Sequence, residues 1–303
     1  MLVSVVIATY NGEKFLRHQL DSVVGQTHRN LEIIISDDCS TDSTLQIILD
    51  YEKRDSRIKI IRNEKNLGYI KNFEKASRLA EGGYVAICDQ DDIWDVRKIE
   101  ILLENVNGFD LCFSDSELID EHGHSLNKNL SDIKNLRVYP NCLPFLIGNC
   151  ISGHASLIKR EMLLRTMPFP TAFVYDWWLA FFISCAGRIN YVNIALVKYR
   201  QHAQNSIAAV KVSGTKRKKE SQVEKLNIIR TRMEVFSKTA GQLGVAEKDI
   251  LRKINDSYQN FSLKNNFGRS AIFLHYRNEL LAIKKRSPFR KWLFCLKMFF
   301  KII

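Results

Sequence analysis

The chain has 303 residues, with 45 Lys plus Arg against 33 Asp plus Glu, a formal net charge of +12. Hydrophobic residues at 46% and charged residues at 26% are globular values and exclude a disordered chain, while 14 glycines and 5 prolines exclude a fibrous or low-complexity one. This length supports one large domain plus an appendage, and the positive excess leaves nucleic acid, sugar nucleotides and acidic lipids open as partners. The 7 cysteines are odd in number, lack a CxxC pair and fall partly in apolar runs, which predicts buried free thiols in a reducing compartment and no structural zinc.

Residues 3–8 are a β-branched run that breaks at Asn11-Gly12 without a preceding basic region, which reads as a buried strand and turn, not a signal peptide. Residues 13–24 place Phe15, Leu16, Leu20, Val23 and Val24 at helical spacing. A second strand over 31–36 runs into Asp37-Asp38, and Ser40 or Thr41 is suited to cap a helix reaching about residue 53. A strand over 58–61, a helix over 69–79 and a strand over 84–88 follow. Repeated strand–helix–strand units with continuous apolar strands predict a mostly parallel α/β sheet covered on both faces. Ligands bind beyond the C-terminal ends of such strands. Thr9-Tyr10-Asn11, Asp37-Asp38 and residues 89–92 all lie where strands end.

Beyond residue 109 the pattern loosens. A strand over 109–113 ends in Ser114-Asp115, residues 120–135 read as a polar loop, and all 5 prolines fall after residue 139. Residues 175–185 read as an apolar helix entered by Asp176, and 188–199 alternate as a strand. Residues 211–219 are basic, and a helix is expected from 221 to about 241. The boundary so drawn separates 1–205 from a helical C-terminal region, 206–303. Its last twenty residues hold seven Lys or Arg and no acid; on a helix, Arg290, Lys297 and Lys301 share a face while Phe289, Trp292, Leu293, Leu296, Phe299, Phe300 and Ile303 cover much of the rest. A basic amphipathic helix of this kind suits an anionic membrane surface, the plain alternative being a terminal helix packed on the domain. No segment reaches the roughly 18 to 20 apolar residues of a spanning helix, so the chain is expected to be soluble or to lie on a membrane.

Cys88-Asp89-Gln90-Asp91-Asp92-Ile93-Trp94 sets three carboxylates within four residues. They repel one another unless a cation or donors intervene, and oxygen ligands suit Mg²⁺ or Mn²⁺ completed by substrate phosphate oxygens. The plainer reading is a loop in which Asp92 or Asp95 caps the next helix.

Ala8-Thr9-Tyr10-Asn11, then Ser36-Asp37-Asp38-Cys39-Ser40-Thr41-Asp42, then Asp89-Gln90-Asp91-Asp92 resemble, in this order, the inverting glycosyltransferases of family 2 with the GT-A fold, over roughly residues 1–205. The resemblance implies a GT-A-type sheet, a nucleotide-diphosphate sugar donor (dTDP- or UDP-linked), a divalent metal and inversion at the anomeric carbon. It implies that Asp89 and Asp91 bind metal, and that Thr9, Tyr10, Asn11, Asp38 and Asp89 hold the nucleotide. Cys39 stands where many members have glycine. Tyr175-Asp176-Trp177-Trp178 resembles the segment supplying the catalytic base, Asp176, although Asp176 also suits a helix cap. Tyr199-Arg200-Gln201-His202 resembles bacterial, rhamnosyltransferase-like members, which makes His202 a candidate ligand of the metal or of a diphosphate oxygen. Asp92, Trp94, Asp115, His154, Trp177 and Arg200 are further candidates for donor or acceptor contacts.

The activity expected is therefore hexosyl transfer, rhamnose first and galactose, glucose or N-acetylglucosamine otherwise, onto a lipid-linked or cell-surface glycan such as O-antigen or capsule. The expected location is cytoplasmic, peripheral on the inner membrane face. The rival is a nucleic-acid-binding α/β protein without enzymatic activity. It is disfavoured because the basic residues concentrate at 211–219 and 284–301, away from the strand ends, and the tail interleaves them with large aliphatics, whereas single-strand binding prefers exposed aromatics along a basic groove.

Overall fold

The computed structural model describes residues 1–202, 221–260 and 262–300. Strands β1 (Val3–Thr9), β2 (Leu31–Asp37), β3 (Ile58–Arg62) and β4 (Tyr84–Cys88) are parallel and lie in the order β3-β2-β1-β4. Helices α1 (Leu16–Val24), α2 (Thr44–Glu52) and α3 (Tyr69–Arg78) connect them.

The apolar strands are buried on both sides because successive side chains point to opposite faces. Val5 and Ile7 pack with Leu16, Leu20, Ile47 and Ile48 on one face; Val6 joins Ile70 and Phe73 on the other. The chain leaves β1 toward β2 and β3, then returns on the opposite side to β4. That reversal opens a crevice beyond the C-terminal ends of β1 and β4.

The sheet continues with β5 (Ile93–Trp94), helix α4 (Lys98–Asn105), β6 (Leu111–Ile119), β7 (Ser125–Asn129) and α5 (Leu130–Ile133). Then come β8 (Ser156–Lys159), α6 (Arg160–Arg165), α7 (Tyr175–Ala186) and β9 (Ile189–Arg200). The described residues form a nine-stranded sheet in the order β3-β2-β1-β4-β8-β6-β9-β5, with β7 on β6. β8 is antiparallel to β4 and β6, whereas β9 is parallel to β6. The mostly parallel α/β sheet flanked by helices is the one expected.

Two local expectations are corrected. The strand foreseen over 109–113 continues to Ile119, because irregularities at Ser114 and Asp115 let β6 keep its pairing with β9. Asp115 therefore lies inside a strand, not after one. Residues 120–135 are not all loop: β7 is an exposed edge strand, and Asn129 with Asp132 forms a capping box that starts α5.

The C-terminal helices are α8 (Gln222–Leu243), α9 (Lys248–Gln259), α10 (Leu263–His275), α11 (Arg277–Leu280) and α12 (Pro288–Phe300). They share a core with the sheet region. Phe236 of α8 stacks on Phe181 of α7 with ring centroids 3.8 Å apart, and Asn135 donates through its N and Nδ2 to the carbonyls of Ile283 and Ala282. In α12, Phe294, Cys295 and Met298 are buried, and Arg269 and Ser270 of α10 donate to the carbonyls of Met298 and Cys295. Phe289, Trp292, Leu293 and Phe300 stay exposed. The helix is thus both packed and apolar outside; Lys301, Ile303 and the basic stretch 211–219 lie outside the described residues. All seven cysteines are free, and Cys88, Cys112, Cys142, Cys150 and Cys295 are buried. No helix among the described residues is long and apolar enough to cross a membrane.

Candidate active site

The site grows from the ends of β1, β2 and β4. Thr9 pairs in register with Asp37, and Ile7 with Cys88, so the residues after each strand emerge together. After β1 the chain turns through Asn11 at φ 46, a left-handed conformation that asparagine tolerates. The Asn11 Oδ1 accepts from Thr41 N at 2.9 Å, and Asn11 N donates to Ser40 Oγ at 3.0 Å. Gln90 clips the other side: its Oε1 accepts from Tyr10 N at 2.9 Å and its Nε2 donates to Tyr10 O at 3.1 Å. A Cβ on Gly12 would run into the Gln90 side chain, so this clip requires glycine. Asp38 accepts from Asn63 Nδ2, Leu67 N and Gly68 N, each at 2.8 Å, and so ties down the loop entering α3. These segments enclose a cleft of about 470 Å³ whose lining includes Thr9, Tyr10, Asn11, Asp38, Tyr69, Asp91 and His202. Tyr10 and Tyr69 present exposed ring surface.

At the end of β4 the three carboxylates separate by environment. Asp91 Oδ2 lies 2.8 Å from His202 Nε2. Asp89 stays partly exposed, its Oδ2 3.4 Å from His154 Nδ1. Asp92 is fully buried; its Oδ1 accepts from Arg200 N at 2.9 Å, while its Oδ2 has no hydrogen-bond partner and sits 3.4 Å from His154 Nδ1. Burial drives the Asp92 carboxyl well above the usual range, and the neighbouring Asp91 and Asp89 charges add to this. Burial would lower the His154 imidazole, but the charges of Asp92 and Asp89 outweigh it and raise its pKa.

Asp89, Asp92 and His154 bring one ligand atom each within 4.8 Å of one another. Two carboxylates and an imidazole suit a divalent cation such as Mn²⁺, and the unpartnered Asp92 oxygen fits a missing positive partner. The sequence grouped Asp89, Asp91 and His202; the structure divides that set, pairing Asp91 with His202 and placing Asp89 with Asp92 and His154.

Asp176 lies in the first turn of α7. Its Oδ1 is buried without a hydrogen-bond partner. Burial pushes its pKa up to about 6, with Lys134 opposing and Asp89 adding to the rise. Tyr69, in the cleft wall, is pushed up to about 12 by burial and by the charges of Asp176 and Asp89. Both carboxylates are thus within electrostatic reach of Tyr69, although the lining of the cleft itself includes Asp91 and neither of these two.

Other expected contacts sit elsewhere. Trp94 is turned into the core beneath Lys98, whose Nζ lies 3.1 Å from the ring centroid. Asp115 is buried, its Oδ1 accepting from Ser116 N and Ser131 N. Trp177 donates to Phe145 O and carries Arg232 over its ring at 3.9 Å, joining α7 to α8. Arg200 donates from Nε to Asp91 O at 2.8 Å and from Nη1 to Glu121 O at 3.1 Å, which holds the acidic loop against the β6–β7 turn.

Sequence reading missed Gln90 and Lys98. Gln90 stood inside a quoted motif, where its position between acids was the available signal. Lys98 is fully buried, donates to the His154 carbonyl, and has its pKa pulled down to about 7 by burial. No local pattern marks a lysine as buried.

Comparisons with known proteins bear on the family and the fold. The chain is 30% identical over 222 residues to an Escherichia coli protein named UDP-Glc:alpha-D-GlcNAc-diphosphoundecaprenol beta-1,3-glucosyltransferase WfgD, covering 71% of this chain and 83% of that one. The S. aureus TarS 1-349 structure in complex with UDP-GlcNAc matches with a TM-score of 0.63 at 18% identity, over 99% of this chain and 80% of that one. Mannosyltransferase PcManGT from Pyrobaculum calidifontis, in complex with GDP-Man and Mn²⁺, matches with a TM-score of 0.53 at 16% identity, over 98% and 84%. At these identities the two structures speak for the fold. The model of the family described as Glycosyl transferase family 2 matches residues 4–165, more than half of the chain and the stretch that carries the cleft and its acidic loop, so the chain belongs to glycosyl transferase family 2.

Proposed function

We propose that this glycosyltransferase moves a hexose, with inversion, from a nucleotide-diphosphate sugar onto a glycan acceptor carried by a lipid or by the cell surface. The observation that carries the reading is Asp176, a half-buried carboxylate whose Oδ1 is buried without a partner and which lies within electrostatic reach of Asp89 and of Tyr69 in the cleft wall. Tyr10 and Tyr69 offer ring faces for the nucleoside, and Thr9, Asn11 and Asp38 shape the polar wall around it. In the transfer step the acceptor hydroxyl oxygen attacks the anomeric carbon and forms the new C–O bond. The bond from that carbon to the diphosphate oxygen breaks, its electron pair leaves with the nucleoside diphosphate, and the hydroxyl proton goes to Asp176. Burial raises the basicity of that carboxylate while leaving it ionised near neutral pH.

A divalent ion would be held by Asp89 with Asp92 and His154, or by Asp91 with His202. When bound, it offsets charge on the leaving diphosphate. The Mn²⁺ in the mannosyltransferase structure supports a metal requirement. For the sugar, the resemblance of residues 199–202 to rhamnosyltransferase-like sequences favours rhamnose, and the name of the E. coli relative favours glucose. A hydrolysis screen over dTDP- and UDP-sugars with Mn²⁺ or Mg²⁺ decides both points. One donor should be cleaved and excess EDTA should stop it; full activity in EDTA overturns the metal requirement, and no cleavage of any nucleotide sugar overturns the donor class.

Location on the cytoplasmic membrane face belongs to the same reading. It is supported by the outer surface of α12, where Phe289, Trp292 and Leu293 lie exposed beside Arg290. Trp292→Gln with Phe289→Gln should reduce co-sedimentation with phosphatidylglycerol vesicles, and undiminished co-sedimentation would remove the tail from that role.

A further inference from the structure

A second cavity, of about 420 Å³, lies away from the nucleotide cleft. Its described lining includes Lys134, Arg137, Lys285 and Lys291 and no acid. Two segments far apart in sequence build it. Asn135 binds the carbonyls of Ala282 and Ile283, and Lys134 bridges to Lys284, which brings the residues after α5 against those before α12. Among the described residues, none of the four cations has a carboxylate within ion-pair distance. Asp115, buried behind Ser131, has its Oδ1 engaged by two amides. Lys284, half-buried beside the cavity, is held below the ordinary lysine range first by burial and then by the Arg286 and Arg232 charges. Tyr191 and Asn193 add polar atoms to the wall, and Arg137 lies over the Tyr139 ring at 5.0 Å.

Four like charges gathered around one concavity repel one another unless an anion joins them. Lys134, in its wall, is near enough to Asp176 for its charge to oppose the raised pKa of that carboxylate, as His154 also does. Its other wall includes Lys291 of α12, which the exposed Trp292 and Leu293 follow in the chain.

We infer that this cavity is an acceptor-side phosphate subsite, holding the phosphate or diphosphate that joins the acceptor glycan to its carrier. The inference rests on the transferase reading above and deepens it. The subsite would fix the acceptor by its charged end while the sugar hydroxyl reaches Asp176, which is positioning by charge-assisted contacts.

The test uses the full chain. Inorganic pyrophosphate is titrated in EDTA, so that no divalent ion holds it at the acidic loop. The pocket variant Arg137→Gln/Lys285→Gln is compared with Arg290→Gln/Lys297→Gln, which removes the same two charges from exposed positions on α12 outside the cavity. Wild type and the α12 variant should bind alike, and the pocket variant should bind about tenfold or more weakly. Equal binding by all three, equal loss in both variants, or no binding by wild type overturns the subsite. Phosphatidylcholine vesicles carrying farnesyl diphosphate then separate the sources. Recruitment that depends on farnesyl diphosphate and is lost in the pocket variant beyond any loss in the α12 variant, whose Arg290 belongs to the proposed membrane face, supports a lipid-borne diphosphate; pocket-dependent pyrophosphate binding without recruitment supports a soluble phosphorylated acceptor. Donor hydrolysis with Mn²⁺ should be unchanged in both variants. Its absence in wild type sinks the transferase reading, whereas intact hydrolysis with unaltered pyrophosphate binding sinks the subsite alone.

Discussion

Asp176 shows how one side chain acquires its chemistry from its surroundings. At the start of α7 a carboxylate favours the helix dipole, yet burial beside aromatic residues lifts its pKa to about 6. Only the ionised form accepts a proton, so acceptor-dependent transfer should fall as pH drops through about 6. Asp176→Asn should flatten that acid limb and reduce transfer by about 10² to 10⁴, with nucleotide affinity retained in calorimetry. If affinity fell with the rate, Asp176 would be a donor ligand or a structural residue instead. Cys39 is the second residue-scale case. It sits at φ 64, a region that disfavours side chains, at the position where the resemblance points to glycine. Cys39→Gly should relieve that strain, partly offset by a more flexible unfolded chain, for a net gain of about 0.5 kcal/mol in chemical denaturation. A clear loss of stability would mean that the Cys39 side-chain packing outweighs the strain.

At the scale of elements, the cleft depends on how two strand ends are joined. Gln90 is the clip between the turn after β1 and the loop after β4, and Gly12 leaves room for it. Gly12→Ala should displace Gln90, let Tyr10 drift and raise the Kd for nucleotide by about tenfold to a hundredfold, since small displacements of positioning groups are expensive. The melting temperature should move little, because the added Cβ on buried Gly12 meets only the flexible end of the Gln90 side chain and the apolar core is untouched. A large fall in melting temperature with normal nucleotide binding would contradict this assignment. Helix α12 carries a related lesson. Its sequence is apolar on several faces, and which face is buried depends on where α10 meets it.

Across the whole molecule, the helical C-terminal region and the sheet share one core. Phe236 stacks on Phe181 and packs edge-on against Phe173. Phe236→Ala should cost about 3 to 5 kcal/mol. Unfolding should remain a single transition in which far-UV signal and nucleotide binding are lost together. Two separated transitions would mean that residues after 205 form an independent unit, as the boundary drawn from sequence alone proposes.

Strand ends and their acids were legible because they rest on short-range patterns. Continuous apolar runs mark the buried strands, and a parallel sheet carries its ligand groups just beyond them, so Thr9, Asp38 and the acidic run 89–92, of which Asp91 lines the cleft, could be placed together without coordinates. The division of labour among the acids was not legible. Asp89, Asp91 and Asp92 are alike in sequence, and only the folded chain sends Asp91 to His202 and Asp92 to the buried face of His154. Arg200 was likewise expected to meet diphosphate, and its reach to the Asp91 and Glu121 carbonyls exists only once β9 lies beside β6. Local pattern reports which residues a strand buries. Which charges meet is decided by pairings between distant segments, because burial and Coulomb energy depend on distance in space.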